Sequence, residues 1–239
     1  MWYNGMINDS GWRHIMELKE STLSVLKNYA AINPNIVVQK GNKLKTMTEA
    51  RNVLSACTLE EEFPQEFGIY DLNEFLGVIS LVGEPRLTFE NEYVTITDSS
   101  NRSRVKYFFS DPEMLTTPTR DVVTPPVDVK FTLDNDTLNK IKKASSTLGH
   151  TEFSITGKNG VLTLSVIDSK NTTSNAFSID ISGDFTEENF NFIFDIKNLK
   201  MIPGDYEVGL SSKLISHFVN KNTGIEYWIA LEKTSTFGV

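Results

Sequence analysis

The stretch Ile69-Tyr70-Asp71-Leu72-Asn73-Glu74-Phe75 decides the fold, because the other half of the chain repeats its pattern as Ile193-Phe194-Asp195-Ile196-Lys197-Asn198-Leu199. Both copies read isoleucine, aromatic, aspartate, aliphatic, two polar residues and a large apolar residue. In each copy a β-like stretch runs into a helix-like one. The aspartate is a natural N-cap, because its carboxylate accepts hydrogen bonds from the free N–H groups of a first helical turn. A duplication at this separation predicts two copies of one domain rather than a solenoid, whose repeats are far shorter.

The first half of the chain predicts two amphipathic helices among short strands. One helix spans residues 21–32, with Ser21 as its cap and Pro34 as its stop. The other begins after Asp71 and ends near Val82, before Gly83. Strands are predicted at residues 36–39, 43–48, 53–58, 67–70, 86–90, 93–97 and 104–109.

The second half predicts the same order of elements. A helix capped by Asp134 or Asp136 runs to residue 148, and a short helix capped by Asp195 runs to residue 201. Strands are predicted at residues 129–133, 152–156, 161–167, 176–181, 190–194, 206–210, 214–220 and 226–231. We therefore predict an α+β fold of two similar domains, each with two helices packed on antiparallel sheets.

Composition shifts set the predicted domain boundaries. Residues 1–15 are polar and aperiodic and are predicted to be a disordered extension, with Met16 as an alternative start. Domain 1 spans residues 16–110, and domain 2 spans residues 128–239. Residues 111–127 hold four of the eight prolines and are predicted to connect the two domains.

Bulk composition restricts the class of protein. The 239 residues include a single cysteine, so an internal disulfide is excluded and a reducing compartment is weakly favoured. No apolar run approaches the roughly 20 residues that a membrane-spanning helix needs. The formal net charge is −8, so any contact with DNA requires a local basic surface.

Six segments carry a resemblance to a known family: residues 25–33, 69–77, 80–82, 189–194, 200–206 and 227–232. They closely resemble the sliding clamps of T-even-like bacteriophages, which are DNA polymerase processivity factors. The resemblance covers residues 16–239, and its most specific parts are the first helix and the first copy of the duplicated motif.

The resemblance implies a homotrimeric ring that encircles duplex DNA and tethers the replicative DNA polymerase. It implies a clamp-loader ATPase and late-transcription factors as further partners, no catalytic activity, no cofactor and no metal. It places the protein in the cytoplasm of the infected bacterial host. The helices would line the hole and the sheets would form the outer wall.

A ring around DNA predicts cations on the helix surfaces despite the acidic total. These contacts with phosphate would be independent of sequence and sensitive to salt. Lysines opposite an apolar helix stripe are more often a solvated face, so this pattern alone is weak. The candidate DNA-facing residues are Lys27, Lys140, Lys142, Lys143, Lys197 and Lys200.

The family architecture also implies two protein-binding surfaces. The last strand of domain 1 would meet an edge strand of domain 2 in the next subunit, through Val105, Tyr107 and Phe109 on one side and Phe177, Ile179 and Ile181 on the other. A partner peptide would dock near the connector, at Met114, Leu115, Val122 and Val123. Alternatively, both sets pack within their own domains.

Other classes of function were weighed on the same residues. The three histidines, His14, His150 and His217, lack metal-ligand spacing, and no nucleophile or phosphate-binding motif is present. Asp134-Asn135-Asp136 resembles the start of a calcium loop but lacks its glycine and distal glutamate, so helix capping is favoured. The alternatives are a structural virion protein of the tail or capsid surface, and a β-rich hydrolase or carbohydrate-binding module. The first gives no reason for helix-face lysines, and the second should show an aromatic platform or paired acids.

Overall fold

A computed structural model describes residues 15–171, 173–187 and 189–238, which form two compact units. Unit 1 contains the chain up to Glu49 together with Ala56–Pro118, and unit 2 contains Ala50–Ser55 and the chain from Thr119 onward. Of the predicted N-terminal extension, residues 1–14 lie outside the described residues, and Ile15 begins the first strand. Within the described ranges, no helix is long and apolar enough to cross a membrane.

Unit 1 combines a pair of helices with antiparallel strands. The strands β1, β6, β7 and β8 form one sheet in that order, and β2 pairs with β5. The helices α1 and α2 pack against each other. The described elements are β1 (Ile15–Glu17), α1 (Glu20–Ile32), β2 (Ile36–Val38), β3 (Gly41–Met47), β4 (Val53–Phe63), β5 (Phe67–Ile69), α2 (Leu72–Leu81), β6 (Arg86–Phe89), β7 (Tyr93–Thr97) and β8 (Arg104–Phe108).

The first copy of the motif starts α2 as predicted. One carboxylate oxygen of Asp71 accepts hydrogen bonds from the backbone N–H groups of Asn73 and Glu74, each at 3.0 Å. The start of α1 differs from the prediction, since the cap position is Lys19, which makes no capping bond through its side chain. Ser21 lies inside that helix, so its prediction as a cap was wrong.

Unit 2 contains two sheets and one long helix in its described part. One sheet has the strand order β12-β11-β10-β14-β18. The other contains β13-β9-β15-β16-β17, and residues at the start of β4 lie beside β17. The elements are β9 (Val129–Leu133), α3 (Asn135–Leu148), β10 (Glu152–Lys158), β11 (Val161–Ile167), β12 (Phe177–Ser182), β13 (Asp184–Phe185), β14 (Phe190–Asp195), β15 (Tyr206–Ser211), β16 (Ile215–Asn220), β17 (Glu226–Ala230) and β18 (Thr236–Phe237).

The core of unit 2 is aromatic. The rings of Phe153 and Phe194 stack with centroids 5.5 Å apart, and Phe218 meets Phe194 edge-on at 6.0 Å. These side chains and Tyr206 are almost completely buried. Their burial favours folding because large apolar area leaves water, by roughly 25 cal/mol per Å².

The second copy of the motif starts only a single 3₁₀ turn, Ile196–Asn198, rather than the predicted helix to residue 201. Asp195 caps this turn by accepting from the backbone N–H of Lys197 at 3.1 Å. Pro203 and Gly204 lie eight and nine residues after the cap and the chain enters β15 at Tyr206, so fewer than two turns of helix fit between the cap and the proline. The α+β class and the two similar units are confirmed, but the described part of unit 2 has one α-helix where two were predicted.

Candidate DNA-facing, subunit and partner surfaces

The outer face of α3 is the most basic helix surface in the described chain. Asp134 caps this helix by accepting from the backbone N–H of Thr137 at 2.7 Å and from its hydroxyl at 3.1 Å, and these bonds hold the pKa of the Asp134 carboxyl below its usual range. Leu138 and Ile141 are buried, and the helix packs over β11 and β12. That packing leaves Lys140, Lys142 and Lys143 off the apolar face.

The three lysines of α3 are not equivalent. Lys140 and Lys143 are exposed, whereas Lys142 is half-buried on the flank of the helix. Burial lowers the pKa of Lys142, because desolvation disfavours the charged amine. Lys140 and Lys143 are therefore the two that can reach outward to an anion without first leaving a packed position.

The helices of unit 1 carry less positive charge. Lys27 is exposed on α1, as predicted. The exposed positions of α2 include Asn73, Glu74, Gly77 and Ser80, and this ten-residue helix contains no lysine or arginine. Glu74 therefore makes the exposed face of α2 acidic rather than basic.

Lys197 and Lys200 do not share a helix face, because the predicted helix to residue 201 is a 3₁₀ turn that ends at Asn198. Lys197 lies in the 3₁₀ turn and its ammonium is 2.6 Å from the carboxylate of Asp195. This carboxylate raises the pKa of Lys197 through a hydrogen bond and through its charge. Lys200 follows the turn and is exposed.

The predicted subunit-contact residues lie on edge strands. β8 is the last strand in its sheet, and β12 is the last strand in the other unit's five-stranded sheet. Both strands alternate between half-buried and exposed residues. The half-buried residues are Val105, Tyr107, Phe177, Ile179 and Ile181, together with Phe109 just after β8.

Two of these residues are also packed inside unit 1. The Tyr107 ring meets Phe75 edge-on at 5.1 Å, and its hydroxyl donates to the carbonyl oxygen of Asp71 at 3.4 Å. Burial, followed by the charges of Glu74 and Asp71, raises the pKa of Tyr107 to about 12. Phe109 stacks on Phe67 at 4.8 Å. These contacts indicate that Tyr107 and Phe109 pack at least partly within their own unit. Alternate residues of β8 and β12 nevertheless remain exposed.

The equivalent strand of unit 2, β17, does not end its sheet. β8 and β17 each close a three-stranded antiparallel run that follows the duplicated motif. Beside β17 lie residues 52–55: the backbone N–H of Ala230 donates to the carbonyl oxygen of Asn52 at 2.8 Å, and the Ser55 hydroxyl donates to that of Glu226 at 2.8 Å. One number rises as the other falls, so this pairing is antiparallel.

The connector residues differ in exposure. Met114 is 83% exposed and Val123 is 89% exposed, whereas Leu115 is buried. Leu115 packs where Gly68 lacks a side chain, since a Cβ at Gly68 would lie 2.8 Å from the Leu115 methyl. Val122 is half-buried. The burial of Leu115 favours packing on its own unit for that residue.

Sequence reasoning missed a groove in unit 2, on the outer face of β9, β15 and β16. Its volume is about 590 Å³, and its lining includes Val127, Lys130, Glu207, Gly209 and His217. Val127, at the end of the connector, lies 3.0 Å from where a Cβ on Gly209 would be, so the glycine admits the connector to the sheet. The only sequence signal was this glycine within a strand pattern.

Beside the groove, the connector is tied to the sheet through a tryptophan. The indole N–H of Trp228 donates to the Thr124 hydroxyl at 2.9 Å. The His217 ring stacks on Trp228 with centroids 4.8 Å apart and planes at 7°, and its Nε2 lies 2.6 Å from the Glu226 carboxylate. His217, Trp228 and Glu226 come together because of the register between β16 and β17. Sequence periodicity alone does not give this register.

Within the described ranges, no three histidine, cysteine or carboxylate side chains are grouped as a metal site. His150 contacts the carbonyl oxygen of Asn175 at 2.8 Å, and His217 belongs to the stack on Trp228. His14 lies outside the described residues. The capping bonds of Asp134 match the helix-cap interpretation of the Asp-Asn-Asp stretch.

Solved clamp structures share this architecture. A. fulgidus PCNA, solved with the C-terminal region of FEN-1 bound, superposes with a TM-score of 0.69 at 14% sequence identity, covering 94% of this chain and 99% of that chain. At this identity the match establishes the fold. The chain therefore has the fold of the DNA sliding-clamp class.

Sequence matches narrow this class to one family. The model for the gp45 sliding clamp, C terminal, matches residues 130–233, and the model for the DNA polymerase processivity factor matches residues 19–114. The sliding clamp of Vibrio phage KVP40 is 30% identical over 222 residues, 91% of this chain and 99% of that protein. That of Enterobacteria phage T4 is 28% identical over 228 residues, 92% and 99% of the two chains.

The chain belongs to the phage sliding-clamp family of DNA polymerase processivity factors. This membership confirms the resemblance found in the sequence. Proteins of this family are non-enzymatic scaffolds in DNA replication, as the sequence reasoning expected. Membership of this family also rules out the virion-protein and hydrolase alternatives.

Proposed function

We propose that three copies of this chain close into a ring around duplex DNA and tether the replicative DNA polymerase of the phage. A clamp-loader ATPase opens and closes the ring, and the loaded ring also serves late transcription. The protein acts in the cytoplasm of the infected bacterium. The edge strands, the α3 lysines and the unit 2 groove support the ring, its contact with DNA and its binding of partners, respectively.

The ring is supported by a difference between two equivalent strands, β8 and β17: β17 is paired on both sides, whereas β8 ends its sheet. In unit 2, β17 is paired with residues 52–55, which begin the third strand after α1. In unit 1, β8 ends its sheet, and the third strand after α3, β12, also ends its sheet. Pairing β8 of one copy with β12 of the next repeats the β17 arrangement. The contact is heterologous, so it propagates until the ring closes.

The DNA surface is assigned to the exposed lysines of α3, with Lys27 as a weaker contributor. The ammonium groups of Lys140 and Lys143 can neutralise phosphates without reading bases. Such contacts suit sliding, because every position along the duplex offers the same charges. Lys197 is held by Asp195 and contributes less.

The partner-peptide surface is assigned to the unit 2 groove together with Val123, an exposed connector residue of the same unit. Met114, an exposed residue of unit 1, is a separate candidate. The groove offers apolar area at Val127, with Lys130 and Glu207 at its sides. The solved A. fulgidus PCNA carries the C-terminal region of FEN-1, which is a partner segment of this kind. A short peptide with apolar anchors fits a pocket of this volume.

A loader-dependent processivity assay with the cognate polymerase tests the proposal. The full chain is expected to convert short products into long ones only when loader and ATP are present. Mass photometry at micromolar concentration should show a trimer alongside free subunits. A chain that stays monomeric and leaves product length unchanged contradicts the ring.

A further inference from the structure

The outer row of β8 carries positive charge that is fixed in place. Arg104, Lys106 and Phe108 are the exposed residues of this strand. The Lys106 ammonium lies 3.6 Å from the centroid of the Tyr93 ring and 5.0 Å from that of Phe108. Such cation–π contacts hold an ammonium over an aromatic face. The charge therefore stays on the sheet surface beside the uncovered edge.

The outer row of β12 carries the complementary charge. Its exposed residues are Ser178, Asp180 and Ser182, and Asp180 is the single charged residue of the strand. The hydroxyl of Thr163 donates to one Asp180 oxygen at 2.7 Å, which orients the carboxylate on the strand. β8, in contrast, contains no acid.

Facing and overlap restrict how these two edges can pair. In an antiparallel pair, a shift by one residue turns the half-buried row of one strand toward the exposed row of the other, so only shifts by two are allowed. With Lys106 opposite Asp180, all five residues of β8 face residues 178–182. With Arg104 opposite Asp180 the overlap falls to four pairs, and with Phe108 opposite Asp180 it falls to three.

We infer that Lys106 of one copy pairs with Asp180 of the next and sets the register of the subunit contact. This inference rests on the ring proposed above. In this register Val105 faces Ile181 and Tyr107 faces Ile179, so the apolar rows supply most of the contact. Opposite charges placed directly across an antiparallel pair are favourable, and like charges are unfavourable.

The same charges select against the wrong partner edge. Two β8 edges brought together would place Arg104 and Lys106 against a second set of cations. Two β12 edges would place Asp180 near its own copy. Both self-pairings give closed two-fold dimers, so their repulsion leaves the β8–β12 contact that makes a ring.

Cysteine cross-linking in the full-length protein tests the register directly. Lys106→Cys with Asp180→Cys should form covalent trimers under mild oxidation, because a disulfide needs Cα atoms about 4.4–6.8 Å apart. Arg104→Cys or Phe108→Cys, each with Asp180→Cys, are the matched controls, since a shift of two residues displaces the partner by roughly 7 Å. The native Cys57 interferes little, because burial raises its thiol pKa to about 11.

The yields separate the two ideas. A 106–180 yield well above both controls supports the inferred register. A control pair that links as well or better overturns it, while a wild-type trimer in mass photometry leaves the ring intact. A wild-type chain that remains monomeric at micromolar concentration overturns the ring and this inference together.

Charge reversal measures how much the pair contributes. Asp180→Lys leaves Lys106 in place and should weaken trimerisation on the order of five- to tenfold per interface in low salt. Lys106→Asp combined with Asp180→Lys should recover most of the loss, and Lys213→Glu, an exposed turn residue, should have little effect. Unchanged trimerisation for Asp180→Lys, or no recovery in the double variant, removes the ion pair from the contact.

Discussion

The two copies of the duplicated motif produce different structures. After Asp71 the chain forms a helix of ten residues, whereas after Asp195 it forms one 3₁₀ turn. Both aspartates accept backbone hydrogen bonds, so the start is the same. The two copies differ in the residues that follow the cap. After Asp71 the helical spacing of apolar residues continues to Leu81, whereas after Asp195 the proline at position 203 limits the length of any helix. A cap therefore sets where a helix begins, and the following residues set how far it goes.

The same comparison extends to charge. Unit 1 presents two helices whose exposed faces carry Lys27 and acids such as Glu74, and unit 2 presents one α-helix with three lysines. The duplicated architecture is thus not used equally. Variants that remove charge or capping from one unit at a time test this inequality.

The largest effect is expected from removing the α3 lysines. Lys140→Ala, Lys142→Ala and Lys143→Ala combined should shorten loader-dependent products by roughly an order of magnitude, because every subunit loses the two exposed lysines that can contact phosphate, together with the half-buried Lys142. Far-UV circular dichroism should show an intact fold. Lys158→Ala, Lys170→Ala and Lys221→Ala combined remove the same charge from exposed sites outside α3 and provide the control. Equal losses in both triples would mean that net charge, rather than α3, matters.

The next effect separates the two motif copies by stability. Asp71→Ala should lower the free energy of unfolding by about 1 kcal/mol, since it leaves two backbone N–H groups of α2 without their acceptor. Asp195→Ala should cost less, because its carboxylate caps a single 3₁₀ turn through the backbone N–H of Lys197. Urea unfolding followed by circular dichroism measures both. A larger loss for Asp195 would reverse our account of the two caps.

A smaller effect distinguishes neighbours on α3. Lys143→Ala should reduce processivity a few-fold, because its exposed ammonium can contact phosphate, and Lys142→Ala should reduce it less. Lys142→Met should slightly raise the midpoint of thermal unfolding, since burial disfavours the charge of Lys142. Equal processivity losses for the two alanine variants would show that half-burial does not withdraw Lys142 from DNA.

The smallest effect is a pH dependence of stability that arises from the Asp134 cap of α3. The N-terminus of α1 has no side-chain cap of this kind. The pKa of Asp134 is lowered in the folded state, so its contribution to stability is present above the unfolded pKa of about 3.9 and is lost as pH falls through the folded value. Asp134→Asn should therefore be less stable than wild type at pH 7, with the gap closing below about pH 4. Asp136→Asn, which leaves the Thr137 cap intact, is the control. A gap that stays constant down to pH 2 would contradict the linkage.

Sequence periodicity predicted most elements because each encodes its own burial. The helix after Asp134 and the strands at residues 93–97 and 161–167 lie where the pattern placed them. Periodicity predicted that β4 ends at residue 58, but the strand continues five residues further, to Phe63. The run Glu60, Glu61 and Glu62 resembles a loop in sequence, which explains the early end. Strand order is not a local property, so neither the edge positions of β8 and β12 nor the stack of His217 on Trp228 could be predicted from composition or spacing.

The uncovered edges also bear on the life of a newly made subunit. Among the residues that the structure describes, no strand covers the outer edges of β8 and β12. Such edges expose backbone groups beside apolar side chains, which is the setting in which strands of unrelated chains add on and aggregate. Charged side chains on an edge strand disfavour such additions. Arg104, Lys106 and Asp180 are therefore expected to keep free subunits soluble, so neutralising all three should lower the yield of soluble protein during expression.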